Sequence, residues 1–259
     1  MKIGILSRNQ TLYSTRRLVQ AARLRGHQVR VIDTLSIPAR AEDGSFLATG
    51  AVELPDVHAI IPRIGSSITP YGLAVVRQFE AQGVLTTATA IAIARSRNKL
   101  KSFQIMQEAG MPMPHTILVN DREDLEPAVQ TSGGLPVIVK LVRGTQGRGV
   151  FLVQEMQVLE AIFKLLKQVR QEMIIQEYIL EASGSDIRII VIDGECVAAM
   201  QRTAAEGEFR SNLHRGGSAK PLTLNQEMKT FAVKAAQIHG LSVAGIDILL
   251  SKRGPLFIE

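Results

Sequence analysis

Apolar and polar positions alternate or recur along the chain with periods that divide it into elements. KIGIL (2–6) reads as a buried strand, residues 12–25 recur at helical spacing up to Gly26, and HQVRVID (27–33) alternates as a second strand. Pro38, Gly44, Gly50 and Pro55 break the pattern over residues 34–56, an irregular or hairpin excursion. Residues 59–62 form a third short strand, which leads through Arg63, Ile64 and Gly65 to a helix over 71–82. Strands alternating with helices predict a parallel sheet covered on both faces, ending near residue 95. A helix over 99–109, a strand over 115–119 and a helix over 121–131 with acids in its first turn come next. A hairpin follows within 136–153, then a helix over 154–168 with Met156, Leu159, Phe163 and Leu166 on one stripe. The remainder reads as a strand (174–179), a hairpin about Asp193-Gly194, a helix (225–239) and a last strand pair (242–250 and 255–259). The fold class is α/β, with α+β character after residue 95.

Two stretches break these patterns with charge. In PVIVKLVRGTQGRGVFLV (136–153), Lys140 interrupts an apolar run just before Gly144, Gly147 and Gly149. Alternation puts Lys140 on the face of Ile138, where an ammonium is costly unless an anion meets it. Three glycines allow the loop backbone to approach phosphate oxygens closely. The same residues also fit a plain hairpin whose lysine snorkels to water. Neither a Walker loop nor a Rossmann fingerprint is present, because a strand and not a helix follows the glycines.

The second stretch is AGIDILLSKRGPLFIE (244–259), where Asp247 and Glu259 stand among apolar neighbours. A three-residue turn Lys252-Arg253-Gly254 would put the two carboxylates directly opposite each other on one face. Facing carboxylates require a shared proton or a cation, and two oxygen donors beside a triphosphate suit Mg²⁺. A bulge in the turn would instead separate them onto opposite faces, both solvated.

Composition narrows the partners. The net charge of +6 and pI near 9.7 favour acidic ligands, while 4% aromatics and no Trp give little for stacking bases. Small anions or an acidic peptide are expected rather than sequence-specific nucleic acid. No window approaches membrane-spanning length, and residues 1–6 are too short for a signal peptide. The single Cys196 excludes an internal disulfide and suggests a reducing, cytoplasmic setting.

Taken in order, KIGILSRNQTLYS, VHAIIPRIGSSIT, ARSRNKLKS, VKLVRGTQGRGV, IIQEYI, GSDIRIIVIDGE, GEFRSNLHRGG and AGIDILLSKRGPLFIE resemble the ATP-grasp carboxylate–amine ligases. The similarity is greatest to the RimK-type α-L-glutamate ligases, which modify a ribosomal protein. The resemblance implies an ATP-grasp fold preceded by a small parallel-sheet (pre-ATP-grasp) domain. Its parts would be residues 1–95, a lid subdomain 96–180 and a large subdomain 181–259. It implies that Lys99 and Lys140 contact nucleotide phosphates and that the loop carrying Gly144, Gly147 and Gly149 covers them. Glu177 and Tyr178 would form the adenine hinge and Asp186 would hold ribose hydroxyls. Arg210, Ser211 and Asn212 would lie over the triphosphate, with Asp247 and Glu259 on metal. Plainer roles also fit: Lys99 as a solvated first-turn lysine, Tyr178 as a packed strand end, Asp186 as a turn acceptor, and His214 as a polar loop residue. Arg202 and Arg215, with forked donors, would grasp a substrate carboxylate.

The implied cofactors are ATP and Mg²⁺ or Mn²⁺, two ions in the complete protein. The implied reaction adds L-glutamate, through an acyl phosphate, to the acidic C-terminal tail of a small-subunit ribosomal protein. A homo-oligomer without membrane attachment is expected. In the family the last acidic ligand opens a Glu-x-Asn pattern. The sequence stops at Glu259, which leads us to expect a longer protein and leaves the activity of these 259 residues open. Rival readings keep the chemistry with another acceptor (an amino-group carrier protein or a free acidic amino acid), or make the chain a non-catalytic, nucleotide-binding ribosome-associated protein.

Overall fold

A computed structural model describes residues 1–37, 40–42, 45–47, 55–142, 149–182, 184–211 and 216–259, with only the backbone of 40–42 and 45–47. The chain divides into two compact units, Met1–Ala94 and Arg95–Glu259.

The first unit begins with β1 (Lys2–Leu6), α1 (Tyr13–Leu24) and β2 (Gln28–Ile32), then a short antiparallel pair, β3 (Arg40–Glu42) and β4 (Ser45–Leu47). After β5 (Ala59–Pro62), α2 (Thr69–Ala81) and β6 (Leu85–Thr86), α3 (Ala90–Arg97) leads out. The sheet is parallel in the order β2-β1-β5-β6. Leu6, Ile32, Ile60, Val75, Val76 and Phe79 form its buried core, as apolar strands against an amphipathic helix should. Gly72 allows α2 to approach the loop after β5, because a Cβ there would lie 2.3 Å from Ile64 Cγ2.

In the second unit α4 (Lys99–Glu108) precedes β7 (Thr116–Val119), α5 (Leu125–Thr131), β8 (Val137–Leu141), β9 (Val150–Val153), α6 (Met156–Gln168) and β10 (Met173–Glu177). The four strands form an antiparallel sheet ordered β7-β10-β8-β9. The helix expected over 121–131 starts as a 3-10 turn, Arg122–Asp124, because Asp121 and Asp124 close a capping box there. Leu159, Phe163 and Leu166 of the helical stripe are buried against this sheet.

The remaining elements are β11 (Ser185–Ile192), β12 (Glu195–Thr203), β13 (Ser218–Pro221), α7 (Gln226–His239), β14 (Val243–Ser251) and β15 (Gly254–Phe257). They give a five-stranded antiparallel sheet, β13-β12-β11-β14-β15. Its core joins Ile187, Ile189, Ile246 and Ile248 with Phe231 and Ala235 of α7 and Phe103 and Met106 of α4. No helix among the described residues is long and apolar enough to cross a membrane.

The last hairpin departs from the expected register. Ser251 pairs with Gly254 and Ile248 with Phe257, so the loop is the two residues Lys252 and Arg253. The Ser251 hydroxyl closes it, accepting from Arg253 N at 3.0 Å and donating to Gly254 O at 2.9 Å. Asp247 therefore does not face Glu259 alone. Its carbonyl accepts from both Ile258 N (3.0 Å) and Glu259 N (3.4 Å), and its own N–H donates to Glu259 O at 2.7 Å. Two residues against one is a β-bulge, and it re-aims the Glu259 side chain.

Candidate active site

Within the second unit one cavity gathers Lys99, Lys140, Glu177, Tyr178, Asp186, Arg202, Arg210, Ser211, Asp247 and Glu259. Both carboxylates of the final hairpin line it. The shorter turn would have separated them, and the bulge brings Glu259 back. Gly149 closes the hairpin base, its carbonyl accepting from Leu141 N at 2.9 Å. Its φ of +71° and a Cβ position only 2.5 Å from Leu141 Cδ1 leave room for glycine alone. Gly144, Gly147, Asn212, His214 and Arg215 lie outside the described residues.

Lys140 projects from β8, with its Nζ donating to Gln176 Oε1 at 2.6 Å. Gln176, 2% exposed in β10, donates in turn to Thr116 Oγ1 at 2.8 Å. Burial pushes the lysine down to about 8, opposed by the charges of Glu259 and Asp247 and reinforced by Lys99. Asn98 caps α4 by accepting from Lys101 N at 3.0 Å, which makes Lys99 the first residue of that helix.

The opposite wall is built by pairing of β11, β12 and β14. Asp186 lies across from Arg202, and Arg188 across from Asp247. Arg202, 4% exposed, donates through Nε (2.6 Å) and Nη2 (2.5 Å) to Asp186 and through Nη2 to Asp247 Oδ2 at 2.9 Å. Arg188 adds a forked pair to Asp247, at 2.7 and 2.5 Å. Burial disfavours the Arg202 charge, but the bonds and charges of the two aspartates outweigh it and hold the guanidinium above its usual value. Arg202 was expected to take a substrate carboxylate; here its Nε and Nη2 serve protein carboxylates. The cations that settle the charge of Asp247 are arginines.

At the end of β10, the Glu177 side chain accepts from Arg253 Nη2 at 2.6 Å on both oxygens and from His115 N at 3.0 Å. Its carboxylate is thus fixed by protein groups. Arg210 donates to Glu208 at 2.9 and 2.7 Å and to Val150 O at 3.3 Å, tying its loop to the base of β9. The side-chain bond from Arg210, partly offset by burial, pulls Glu208 down to about 2.

Gln176, Arg188 and Glu208 were missed from the sequence. Gln176 interrupts an apolar strand much as Lys140 does, and Arg188 stands two residues from Asp186 on the same strand face, so both were visible as polar positions. Glu208 left no such mark.

A half-buried lysine, a carboxylate pair and a glycine-closed hairpin match the nucleotide site that the resemblance implies. The RimK-like ATP-grasp domain model matches residues 96–259, and the RimK PreATP-grasp domain model matches residues 1–93. The chain belongs to the RimK-like ATP-grasp family. It is an ATP-dependent ligase of that family. A relative from Aliivibrio fischeri (strain MJ11), named probable alpha-L-glutamate ligase, is 49% identical over all of this chain and 86% of its own length. One of the same name from Teredinibacter turnerae is 47% identical with the same coverage. Among solved structures, the RimK domain ATP-grasp protein from Sphaerobacter thermophilus aligns with a TM-score of 0.76 at 17% identity, over the whole chain and 89% of its own. The ATP-grasp ligase PsnB, complexed with a phosphomimetic variant of its minimal precursor, Mg and ADP, aligns at 0.73 and 20%, over the whole chain and 88% of its own. These two likenesses support the fold.

Proposed function

We propose that this ligase joins L-glutamate to the C-terminal glutamate of an acidic protein tail, that of a small-subunit ribosomal protein, in the cytoplasm. ATP phosphorylates the terminal carboxylate, the amine of free glutamate attacks the acyl phosphate, and inorganic phosphate leaves as the amide forms. The observation that carries this reading is the cavity that brings Lys140 together with Asp247, Glu259 and Arg202. No side-chain nucleophile is needed, since positioning and charge compensation suffice for phosphoryl and acyl transfer.

In this reading Lys140 and Lys99 neutralise the triphosphate, and the loop around Gly144, Gly147 and Gly149 supplies amide donors above it. The backbone at Glu177 and Tyr178 reads the adenine edge, Asp186 takes the ribose hydroxyls, and Arg210, Ser211 and Asn212 cover the phosphates. Arg202 and Arg215 fix the acceptor carboxylate; for Arg202 this means exchanging a protein partner or using Nη1. Asp247 and Glu259 suit Mg²⁺, being hard oxygen donors on one wall, and no third carboxylate, histidine or cysteine joins them among the described residues. When bound, such an ion offsets the negative charge of the phosphates. The 47–49% identity to proteins named probable alpha-L-glutamate ligase supports glutamate as the added amino acid.

Incubation of the protein with ATP, Mg²⁺, glutamate and a ribosomal small-subunit protein ending in glutamate should release ADP. It should also raise the acceptor mass by whole glutamyl residues. ADP release only with other acceptors would move the assignment to an amino-group carrier protein or a free acidic amino acid.

A further inference from the structure

The two-residue turn at the tip of the last hairpin grips a segment that belongs to neither of its strands. Arg253 Nη2 donates at 2.6 Å to both carboxylate oxygens of Glu177, and Lys252 N donates to Glu181 Oε1 at 3.3 Å. The Ser251 hydroxyl, which accepts from Arg253 N at 3.0 Å, fixes the backbone from which this guanidinium reaches. The Glu177 carboxylate is held on its other side by His115 N at 3.0 Å.

Glu177 ends β10 and Ser185 opens β11, so the gripped segment is the passage from the four-stranded sheet to the five-stranded one. It lies outside both ladders. Its backbone is tied by Glu177 N to His115 O (2.8 Å) at the start, by Ala182 N to Ile179 O (3.1 Å) within, and by Ala204 N to Gly184 O (2.9 Å) at the end. Glu177, Tyr178, Ile179 and Ala182 line the active-site cavity, whereas Arg253 is not among its described lining residues. The Arg253 side chain is 45% exposed and that of Glu177 21%, so the ion pair adds little to stability. Its consequence is geometric: it fixes where the chain leaves β10.

We propose that Arg253 is a positioning residue for base selection: acting through Glu177, it sets the backbone that chooses adenine over guanine. This rests on the reading in which the backbone at Glu177 and Tyr178 meets the adenine edge. Adenine presents an amino donor where guanine presents a carbonyl acceptor, so a fixed carbonyl and amide that fit one base leave the other unpaired. Hydrogen bonds weaken steeply with angle, so the discrimination depends on how firmly that backbone is held. Without Arg253 the Glu177 carboxylate keeps one backbone N–H, and the tie to the hairpin tip is gone.

The test is titration calorimetry of the full chain with ATP, GTP and inorganic tripolyphosphate, each with Mg²⁺ and without an acceptor. The parent should prefer ATP to GTP. Arg253→Met should weaken ATP about three- to tenfold, the worth of roughly one hydrogen bond, and shrink the ATP-to-GTP ratio by a similar factor. Its tripolyphosphate affinity and its urea midpoint should stay those of the parent, which separates a misplaced base edge from a damaged fold. Arg253→Lys, whose single nitrogen can reach both oxygens as Nη2 does, should retain the parent's preference. The proposal is overturned if Arg253→Met keeps the parent's ATP affinity and preference, or if it weakens ATP, GTP and tripolyphosphate alike. A parent that binds ATP and GTP equally would remove the base-edge reading itself, and this inference with it. A parent that prefers ATP beside a methionine variant that prefers it as strongly would remove this inference alone.

Discussion

The two walls of the active-site cavity handle charge in opposite ways. On the β8–β10 wall one ammonium, Lys140, has a neutral amide for its hydrogen-bond partner, and burial holds it down to about 8. On the β11–β12–β14 wall two arginines and two aspartates compensate one another within 2.9 Å, and the buried guanidinium is held above its usual value. On the first wall, among the described residues, Lys140 makes no ion pair, a state that an arriving anion would relieve. The second is a braced frame, whose charges serve each other first. In the proposed reading one wall receives phosphate and the other holds a geometry.

Removing one charge from each wall sharpens the contrast. Arg202→Met leaves buried Asp186 without its cation and should cost on the order of 3–5 kcal/mol in urea unfolding. A loss well under 1 kcal/mol would mean that the frame is not braced. Lys140→Met should do the reverse. Turnover should fall about 10²–10³-fold in a single-turnover ADP assay, while stability stays within about 1 kcal/mol of the parent or rises, because a costly half-buried charge is gone. Arg188→Gln removes a donor that is 38% exposed from an aspartate that keeps Arg202, so the expected loss is about 1 kcal/mol or less. If it equals that of Arg202→Met, the two arginines are equivalent and the frame has no buried centre.

Most elements were legible because their periods were unambiguous. β1 and β5 fall on the short apolar runs read as strands, and Gly26 and Gly240 end their helices at φ of +75° and +72°. The hairpin placing Lys140 against Val150 was legible from its glycines. The last turn was not, since Lys-Arg-Gly suits a two- or a three-residue loop and a serine hydroxyl decided between them. Nor was the bulge at Ile258–Glu259, which no local pattern marks. The arginine partners of Asp247 stayed hidden for another reason: strand order is long-range information, and only the pairing of β11 with both β12 and β14 brings the four charges together.

The account depends most on Lys140 being a half-buried cation waiting for an anion. Its proton equilibrium can be read by carbon NMR of the lysine Cε in labelled protein, assigned by comparison with Lys140→Met. The free protein should titrate near 8, and ATP should raise that value, since phosphate charge favours the ammonium. Because the folded value is below the unfolded one near 10.4, the unfolded chain binds more protons between them. Parent stability relative to Lys140→Met should therefore rise from about pH 8 to about pH 10.5 and stay flat below. A Lys140 resonance that titrates at the ordinary lysine value in the free protein, or does not move when ATP is added, would contradict the central claim.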